Sequence, residues 1–182
     1  MAALFRFFLT LLFGWDRYPS KGLTDTVTTR HRVRLGDLDL NWHVNNARYL
    51  SYLDRARLEH SIRTGVFGVF RRRQNFLVAN IAISYYRSLL PGQRFEIDTR
   101  IVGWDARYYY IEHAFRVGDT VVTQALARLA FTGGGRRLDP RAVLEPLNHD
   151  APSPPLPAAV QHWLAMLAVT REGHAPETKK AA

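Results

Sequence analysis

The stretch DLDLNWHVNN, residues 37–46, puts two aspartates, three asparagines, a histidine and a tryptophan into ten positions. Asp39, Asn41 and His43 are spaced two residues apart, and on an extended backbone that spacing places all three side chains on one side. A carboxylate, an amide and an imidazole facing one point could activate water or attack a carbonyl carbon. The alternative is a set of turn-forming residues that only satisfy backbone donors before a helix.

A helix is predicted directly after this stretch, over NARYLSYLDRARLEHSIRTG. Asn45 or Asn46 can cap its start and Gly65 can end it. An apolar stripe falls at helical spacing, at Tyr49, Leu53, Ala56 and His60. The start of a helix carries free backbone N–H groups and a partial positive charge, so the N–H of Asn46 is the candidate donor to an oxyanion.

Alternating, β-branched segments predict the strands that must position this helix. One strand is predicted within 26–35, and four follow the helix at 76–89, 94–104, 107–117 and 120–132. Short turns separate the last four, at Pro91-Gly92, Asp105-Ala106 and Gly118-Asp119, and such turns indicate an antiparallel meander. A long helix followed by hairpins predicts an α+β protein whose sheet buries its apolar face on the helix.

Three segments are expected along the chain. Residues 1–20 contain the apolar run ALFRFFLTLLFGW, which is too short to cross a bilayer and is expected to be a packed N-terminal helix or a membrane-surface anchor through residues 3–14. Residues 24–135 form the main domain. Residues 136–182 contain a proline-rich linker at 151–157, a docking helix and a frayed tail. The docking helix has an apolar stripe at Val160, Trp163, Leu164 and Leu167.

The composition narrows the class of function. With Lys+Arg 25 against Asp+Glu 16, the net charge of +9 suits nucleic acid, an anionic membrane surface or a phosphorylated ligand such as a coenzyme A ester. No zinc-finger spacing, aromatic RNA-binding box or long basic helix is present, which argues against nucleic acid. The absence of cysteine excludes a disulfide framework, a thiolate metal site and a cysteine nucleophile.

The segment RVRLGDLDLNWHVNNARYLSYLDRARLEH resembles the signature of hot-dog-fold acyl-CoA thioesterases. The resemblance covers about residues 30–165 and is strongest to the thioesterase superfamily member 6 family, through the HVNNARYL and GWDARYYYIE blocks. It implies an antiparallel sheet wrapped around a long central helix, with extra N- and C-terminal helices. It also implies pairing of sheets edge to edge in a homodimer or homotetramer, and the strand at 107–117 would suit such an edge.

Two related families imply roles for the motif. In 4-hydroxybenzoyl-CoA thioesterases the motif G-D-x-D carries the catalytic carboxylate on its second aspartate, which falls here on Asp39. Plant acyl-ACP thioesterases carry D-x-N-x-H-V-N-N, which runs here from Asp39 to Asn46. The further acidic residue and cysteine of the plant enzymes have no counterpart, because Tyr85-Tyr86-Arg87-Ser88 stands in the corresponding strand. Asp39 is thus left as the base or nucleophile.

The resulting expectation is hydrolysis of acyl-CoA, or of acyl-ACP, by a cytoplasmic protein or one bound peripherally to a membrane. Asp39, Asn41 and His43 are the catalytic candidates, and Asp37 is expected to brace the loop. Substrate-binding candidates are Asn45, Tyr49, Arg87, Arg107 and the cluster Arg71-Arg72-Arg73. No metal or cofactor is expected. One alternative is a non-catalytic acyl- or lipid-binding protein at the membrane surface. Another is a hydratase or dehydratase, but the D-x-N-P-x-H motif of those enzymes has proline where this chain has Trp42.

Overall fold

The computed structural model describes residues 21–172, which form a six-stranded antiparallel sheet and its helices. The strands are β1 (Val27–Arg32), β2 (Gln74–Tyr85), β3 (Arg94–Trp104), β4 (Tyr109–Val117), β5 (Thr120–Gly133) and β6 (Arg136–Leu138). The helices are α1 (Asn46–Arg63), α2 (Pro140–Leu144) and α3 (Ala158–Glu172). Three 3-10 segments connect them, at Leu35–Asp37, Val66–Arg72 and Glu145–Asn148. The predicted α+β class is confirmed.

The strand order is β1-β3-β4-β5-β2, with β6 paired to the end of β5. Strands β3, β4 and β5 form the predicted meander, and β3 has the predicted bounds. The prediction that β2 continues this meander is wrong, because β1 and β4 already occupy both sides of β3. Instead β2 pairs with β5 and forms an edge of the sheet. The predicted edge strand, β4, lies between two others, so that prediction is also wrong.

The sheet curls around α1, as the hot-dog resemblance implies. The helix buries its predicted stripe, and Tyr49, Leu53 and Ala56 pack against Ile97 and Phe115 on the inner face of the sheet. A second cluster joins the other half of the inner face to the 3-10 segment 66–72 and to α2. Burying apolar side chains contributes about 25 cal/mol per Å² removed from water, so the first cluster holds α1 in the curl and the second stabilises the other half of the inner face.

The outer face of the sheet is partly covered by α3. Tyr110 and Val102 point away from α1 and pack on Val160, with Leu164 beside them. This confirms the docking helix predicted after the proline-rich segment, and that segment lies against the end of β3. Gly103 makes that approach possible, since a Cβ there would lie 2.6 Å from a methyl carbon of Leu156. A short strand, β6, follows the predicted domain end at residue 135.

The apolar segment 3–14 and the predicted frayed tail lie outside the described residues, so their predicted roles stay predictions. Within residues 21–172, no helix is both long and apolar enough to span a membrane.

Candidate active site

The loop of residues 38–44, called here the Asp39 loop, closes on itself just before α1. Leu38 and Val44 form an isolated antiparallel bridge. The Asp39 N–H donates to the His43 carbonyl oxygen at 2.9 Å, and the Trp42 N–H donates to the Asp39 carbonyl oxygen at 3.2 Å. The chain therefore reverses direction between Asp39 and Trp42.

The Asp39 carboxylate is fixed by this loop. Its Oδ1 accepts hydrogen bonds from the Asn41 N–H at 2.8 Å and from the His43 N–H at 3.4 Å. Its Oδ2 accepts no hydrogen bond from any group in residues 21–172. The side chain is half-buried, so a small molecule can reach it. One oxygen held by the backbone and one left open is a suitable arrangement for a general base or a nucleophile.

The predicted extended backbone of this stretch is wrong. The Asp39 side chain bonds to the N–H two residues on, which offers the backbone a turn in place of a strand. Trp42 has φ of 59°, in the left-handed region that few non-glycine residues adopt. The Asn41 side chain is exposed and that of His43 is half-buried. Strand-like alternation therefore does not place these two side chains on the same face as Asp39, and their chemical roles stay predictions.

The helix start matches the prediction. Asn45 is the N-cap of α1, and its side-chain oxygen accepts a hydrogen bond from the Ala47 N–H at 2.9 Å. The Asn46 N–H donates to no group among residues 21–172, as is usual for the first residue of a helix. The predicted oxyanion donor is thus free, and it follows directly on the Asp39 loop and the N-cap.

Asp37 braces the loop, as expected from the sequence. It is 8% exposed, and its carboxylate accepts hydrogen bonds from the Tyr52 hydroxyl at 2.7 Å, the Arg48 Nε at 3.1 Å and the Arg34 N–H at 2.9 Å. Burial alone would raise the pKa of Asp37, but the hydrogen bonds from Tyr52 and Arg34 and the Arg48 charge outweigh it and hold that pKa below its usual value. Asp37 therefore ties the end of β1 to α1 as a carboxylate.

Tyr49, predicted to bind substrate, lies in the core. It is 2% exposed, and its ring centroid lies 4.9 Å from that of Tyr85 and 5.3 Å from that of Phe115. Burial raises the pKa of the Tyr49 phenol, so the group is neutral at neutral pH. Its contact with the partly exposed Tyr85 places it at the boundary between the core and the end of β2.

Arg87 and Arg107 lie at opposite ends of the sheet. Arg87 follows β2 on the side of the Asp39 loop, where the Val44 N–H donates to the Leu89 carbonyl oxygen at 3.1 Å. Arg107 lies in the turn between β3 and β4. At a rise of about 3.3 Å per residue, the span from the start of β4 to Phe115 separates the two ends by roughly 20 Å. One chain therefore does not bring both arginines to the same phosphate.

The predicted site residues are accompanied by exposed apolar side chains. Leu40 is 99% exposed and Trp42 is 67% exposed, both on the Asp39 loop. Tyr85 and Tyr86, at the end of β2, are also exposed. Large apolar groups gathered at one end of a domain usually mark a contact with a ligand or a partner.

A group of buried polar residues on α1 and β4 goes beyond what the sequence analysis identifies. Arg57, His60 and His113 are each at most 4% exposed. His60 falls on the predicted apolar stripe, whereas Arg57 is not among the residues singled out. The sequence feature that indicates burial of Arg57 is its position four residues after Leu53, which places it on the same helix face. Residues 21–172 contain no group of three or more His, Asp or Glu side chains arranged to hold a metal ion.

The fold and the position of the motif define a thioesterase-type hot-dog protein. Residues 33–164 match the family model described as the thioesterase-like superfamily, and the chain belongs to that superfamily. Among curated relatives, it is 34% identical to Protein THEM6 of Danio rerio over 145 residues, which are 78% of this chain and 70% of that protein. It is also 34% identical to Protein THEM6 of Xenopus laevis, covering 70% of this chain and 62% of that protein. These matches confirm the resemblance to the thioesterase superfamily member 6 family.

Solved structures give the same fold. A thioesterase from Thermus thermophilus, crystallised with coenzyme A and Zn, is 29% identical with a TM-score of 0.58, over 68% of this chain and 95% of that one. A DHNA-CoA thioesterase from Staphylococcus aureus is 11% identical with a TM-score of 0.61, over 82% of this chain and 96% of that one. At 11% identity the second likeness concerns the fold alone.

Proposed function

We propose that this protein hydrolyses acyl thioesters, with Asp39 as the reacting carboxylate. The observation that carries the proposal is the state of that half-buried carboxylate: Oδ1 is held by two backbone N–H groups, and Oδ2 is open. The same loop leads into a helix whose first N–H is free. Membership of the thioesterase-like superfamily supports the reaction class.

Asp39 can act in either of two ways. As a general base, its Oδ2 takes a proton from a water that attacks the thioester carbonyl carbon. As a nucleophile, Oδ2 attacks that carbon itself, the thiolate leaves, and water opens the resulting anhydride. In both cases the carbonyl oxygen becomes negative and the Asn46 N–H would stabilise it, an interaction worth about 3 kcal/mol of barrier. The thiol is a good leaving group, so one carboxylate suffices.

The reaction is tested with a panel of acyl-CoA thioesters of different chain length and with the Asp39→Asn variant. We expect turnover of at least one thioester, lost in the variant by about 10²- to 10⁴-fold, the usual contribution of a positioned base. Asp119→Asn, an exposed aspartate in the β4–β5 turn, is the matched control and should keep wild-type activity. Copurified lipid together with no Asp39-dependent turnover would instead identify a non-catalytic acyl-binding protein.

The thiol carrier is proposed to be coenzyme A. Its phosphates need positive charge, and the positive charge of this chain is almost entirely arginine. Arg87 is exposed at the end of the sheet that carries the Asp39 loop. Arg72 and Arg73 are exposed just before β2, at the opposite end of that strand. A carrier protein as the alternative would be distinguished by comparing acyl-CoA with acyl-ACP in the same assay.

A homodimer through the β2 edge would bring both groups of arginines to one site. An open edge of twelve residues is a ready surface for strand pairing, and its Leu77 and Val78 side chains are exposed. Antiparallel pairing of two β2 strands about a two-fold axis sets Tyr85 of one protomer near Gln74 of the other. Arg72 and Arg73 of one chain would then approach the Asp39 loop of its partner.

Mixed dimers test this arrangement. One chain carries Asp39→Asn, and the other carries Arg72→Ser and Arg73→Ser. If the arginines act across the dimer, the mixed dimer contains one intact site and should recover about half of wild-type activity at low substrate. If each chain uses its own arginines, neither site is intact and no recovery occurs. A monomer in sedimentation would contradict the dimer itself.

A further inference from the structure

A small cavity lies between the C-terminal half of α1 and the sheet, away from the Asp39 loop. Its volume is about 10 Å³, enough for one water-sized guest. Arg57, His60, Ser61 and Tyr109 are its polar residues, and apolar side chains from β2, β3, β4, β5 and the 66–72 segment form most of the lining. At about 1.5 Å per residue, Arg57 is roughly 16 Å along the helix from Asn46.

Arg57 brings an incompletely neutralised charge into this cavity. Its side chain is 4% exposed, and its only ion-pair partner among the described residues is Asp54, whose side chain is 71% exposed. Arg57 Nη2 donates to Asp54, whereas Nη1 is buried and has no hydrogen-bond partner in residues 21–172. A buried cation whose counter-charge is screened by solvent favours a second, buried anion.

His60 supplies a second buried nitrogen that lacks a hydrogen-bond partner. Its Nε2 is buried without a hydrogen-bond partner in the described part of the chain, and the ring also bonds to the backbone of Asp25. Ser61 is already satisfied, because its hydroxyl donates to the Leu58 carbonyl oxygen at 2.8 Å. Both unpartnered nitrogens thus belong to residues that line the cavity.

We propose that this cavity binds one small inorganic anion of the size of chloride, held by Arg57 Nη1 and by the protonated Nε2 of His60. The cavity lining contains no carboxylate that could take this place. The nearby titratable groups on β4 are Tyr109 and His113, and burial shifts the pKa of each so that both are neutral at neutral pH. Arg57 and a bound anion would therefore form the main charge pair of the interior.

Binding of the anion is linked to protonation of His60. Burial lowers the pKa of His60 to about 4, so without an anion the ring is neutral near pH 7. An anion beside Nε2 favours the protonated ring and raises that pKa, and so binding takes up a proton. Anion affinity must then increase as the pH falls from about 7.5 to about 5.5.

Thermal unfolding of the full chain tests this in sodium chloride against sodium gluconate at equal ionic strength. The midpoint should rise with chloride in a saturable way, and the rise should be larger at about pH 5.5 than at about pH 7.5. Arg57→Met should lower the chloride binding constant at least tenfold. Asp54→Asn, which removes the exposed counter-charge, should raise it. His60→Gln should remove the dependence on pH.

Bromide gives a second, independent measurement, since its anomalous scattering would place it in crystals of the wild-type protein grown in sodium bromide. We expect one peak between Arg57 and His60, which is absent in crystals soaked in gluconate. Water alone at that position, or a chloride response unchanged in Asp54→Asn and Arg57→Met, would overturn the proposal. Failure of Arg57→Met to fold leaves Asp54→Asn and the bromide peak to decide it.

Discussion

Asp37→Asn separates the structural aspartate of the motif from the proposed chemical one. The change keeps the size of the side chain but removes the charge that accepts hydrogen bonds from Tyr52 at 2.7 Å, Arg48 at 3.1 Å and Arg34 at 2.9 Å. Hydrogen bonds to a charged group contribute about 1.5–3 kcal/mol each. Arg48 is 45% exposed, so its share is reduced by solvent to about 1 kcal/mol or less. Because the amide oxygen of Asn can still accept part of these hydrogen bonds, we expect the free energy of unfolding to fall by about 2–4 kcal/mol.

Urea-induced unfolding at neutral pH measures this loss. Tyr52→Phe, which removes one of the same hydrogen bonds, should cost about 1–2 kcal/mol. The double variant should lose less than the sum of the two, because both changes break one shared contact. An ordinary surface substitution changes the free energy of unfolding by at most about 0.5 kcal/mol. A loss no larger than this in Asp37→Asn would refute the bracing role.

The pH dependence of stability tests whether Asp37 stabilises the fold as a carboxylate. Because the folded protein holds the pKa of Asp37 below its usual value, ionised Asp37 stabilises the fold above about pH 4, the ordinary aspartate value. That contribution is lost as the pH falls further, through the folded pKa. The difference in stability between wild type and Asp37→Asn should therefore shrink below about pH 4. A difference that grows on acidification would contradict the assignment.

Three further outcomes are expected. Gly103→Ala should lower the unfolding midpoint and increase hydrogen exchange in residues 151–157, because its Cβ would lie 2.6 Å from Leu156; unchanged exchange would argue against that contact. Trp163→Ala should cost about 3–5 kcal/mol in urea unfolding, as for other buried aromatic residues, and a loss below about 1 kcal/mol would mean that α3 is not firmly docked. Burial and the Arg55 charge lower the pKa of His31 to about 4, so neutral His31 favours the fold, and stability should fall from about pH 6.5 toward about pH 4. His31→Gln should make that fall shallower, and an equal slope in both proteins would exclude His31 as a source.

The local parts of this structure could be predicted from the sequence. The bounds of β3 follow from the turns on either side of it, at Pro91-Gly92 and Asp105-Ala106. Asn45 is followed by an apolar stripe at helical spacing, and it is the N-cap. These features depend on neighbouring residues, whose preferences are readable in order along the chain.

The remaining parts depend on contacts that the order of residues does not show. Strand β1 pairs with β3, and β2 pairs with β5. Both pairings join residues that are far apart in the sequence. Alternation of polar residues predicts an extended backbone at Asp39, while the Asp39 side chain bonds to the backbone two residues on and forms a turn. Arginines on a helix are mostly exposed, so residue type gives no sign that Arg57 is buried, although its spacing from Leu53 places it inside.

The most direct test of the central claim is the turnover number of Asp39→Asn, measured beside its unfolding midpoint on one preparation. The open Oδ2 and the two backbone hydrogen bonds to Oδ1 predict a variant that folds nearly as well as wild type. Its turnover of the best acyl-CoA substrate should be about 10²- to 10⁴-fold lower. Wild-type turnover in a folded Asp39→Asn protein would contradict the claim that Asp39 carries the reaction.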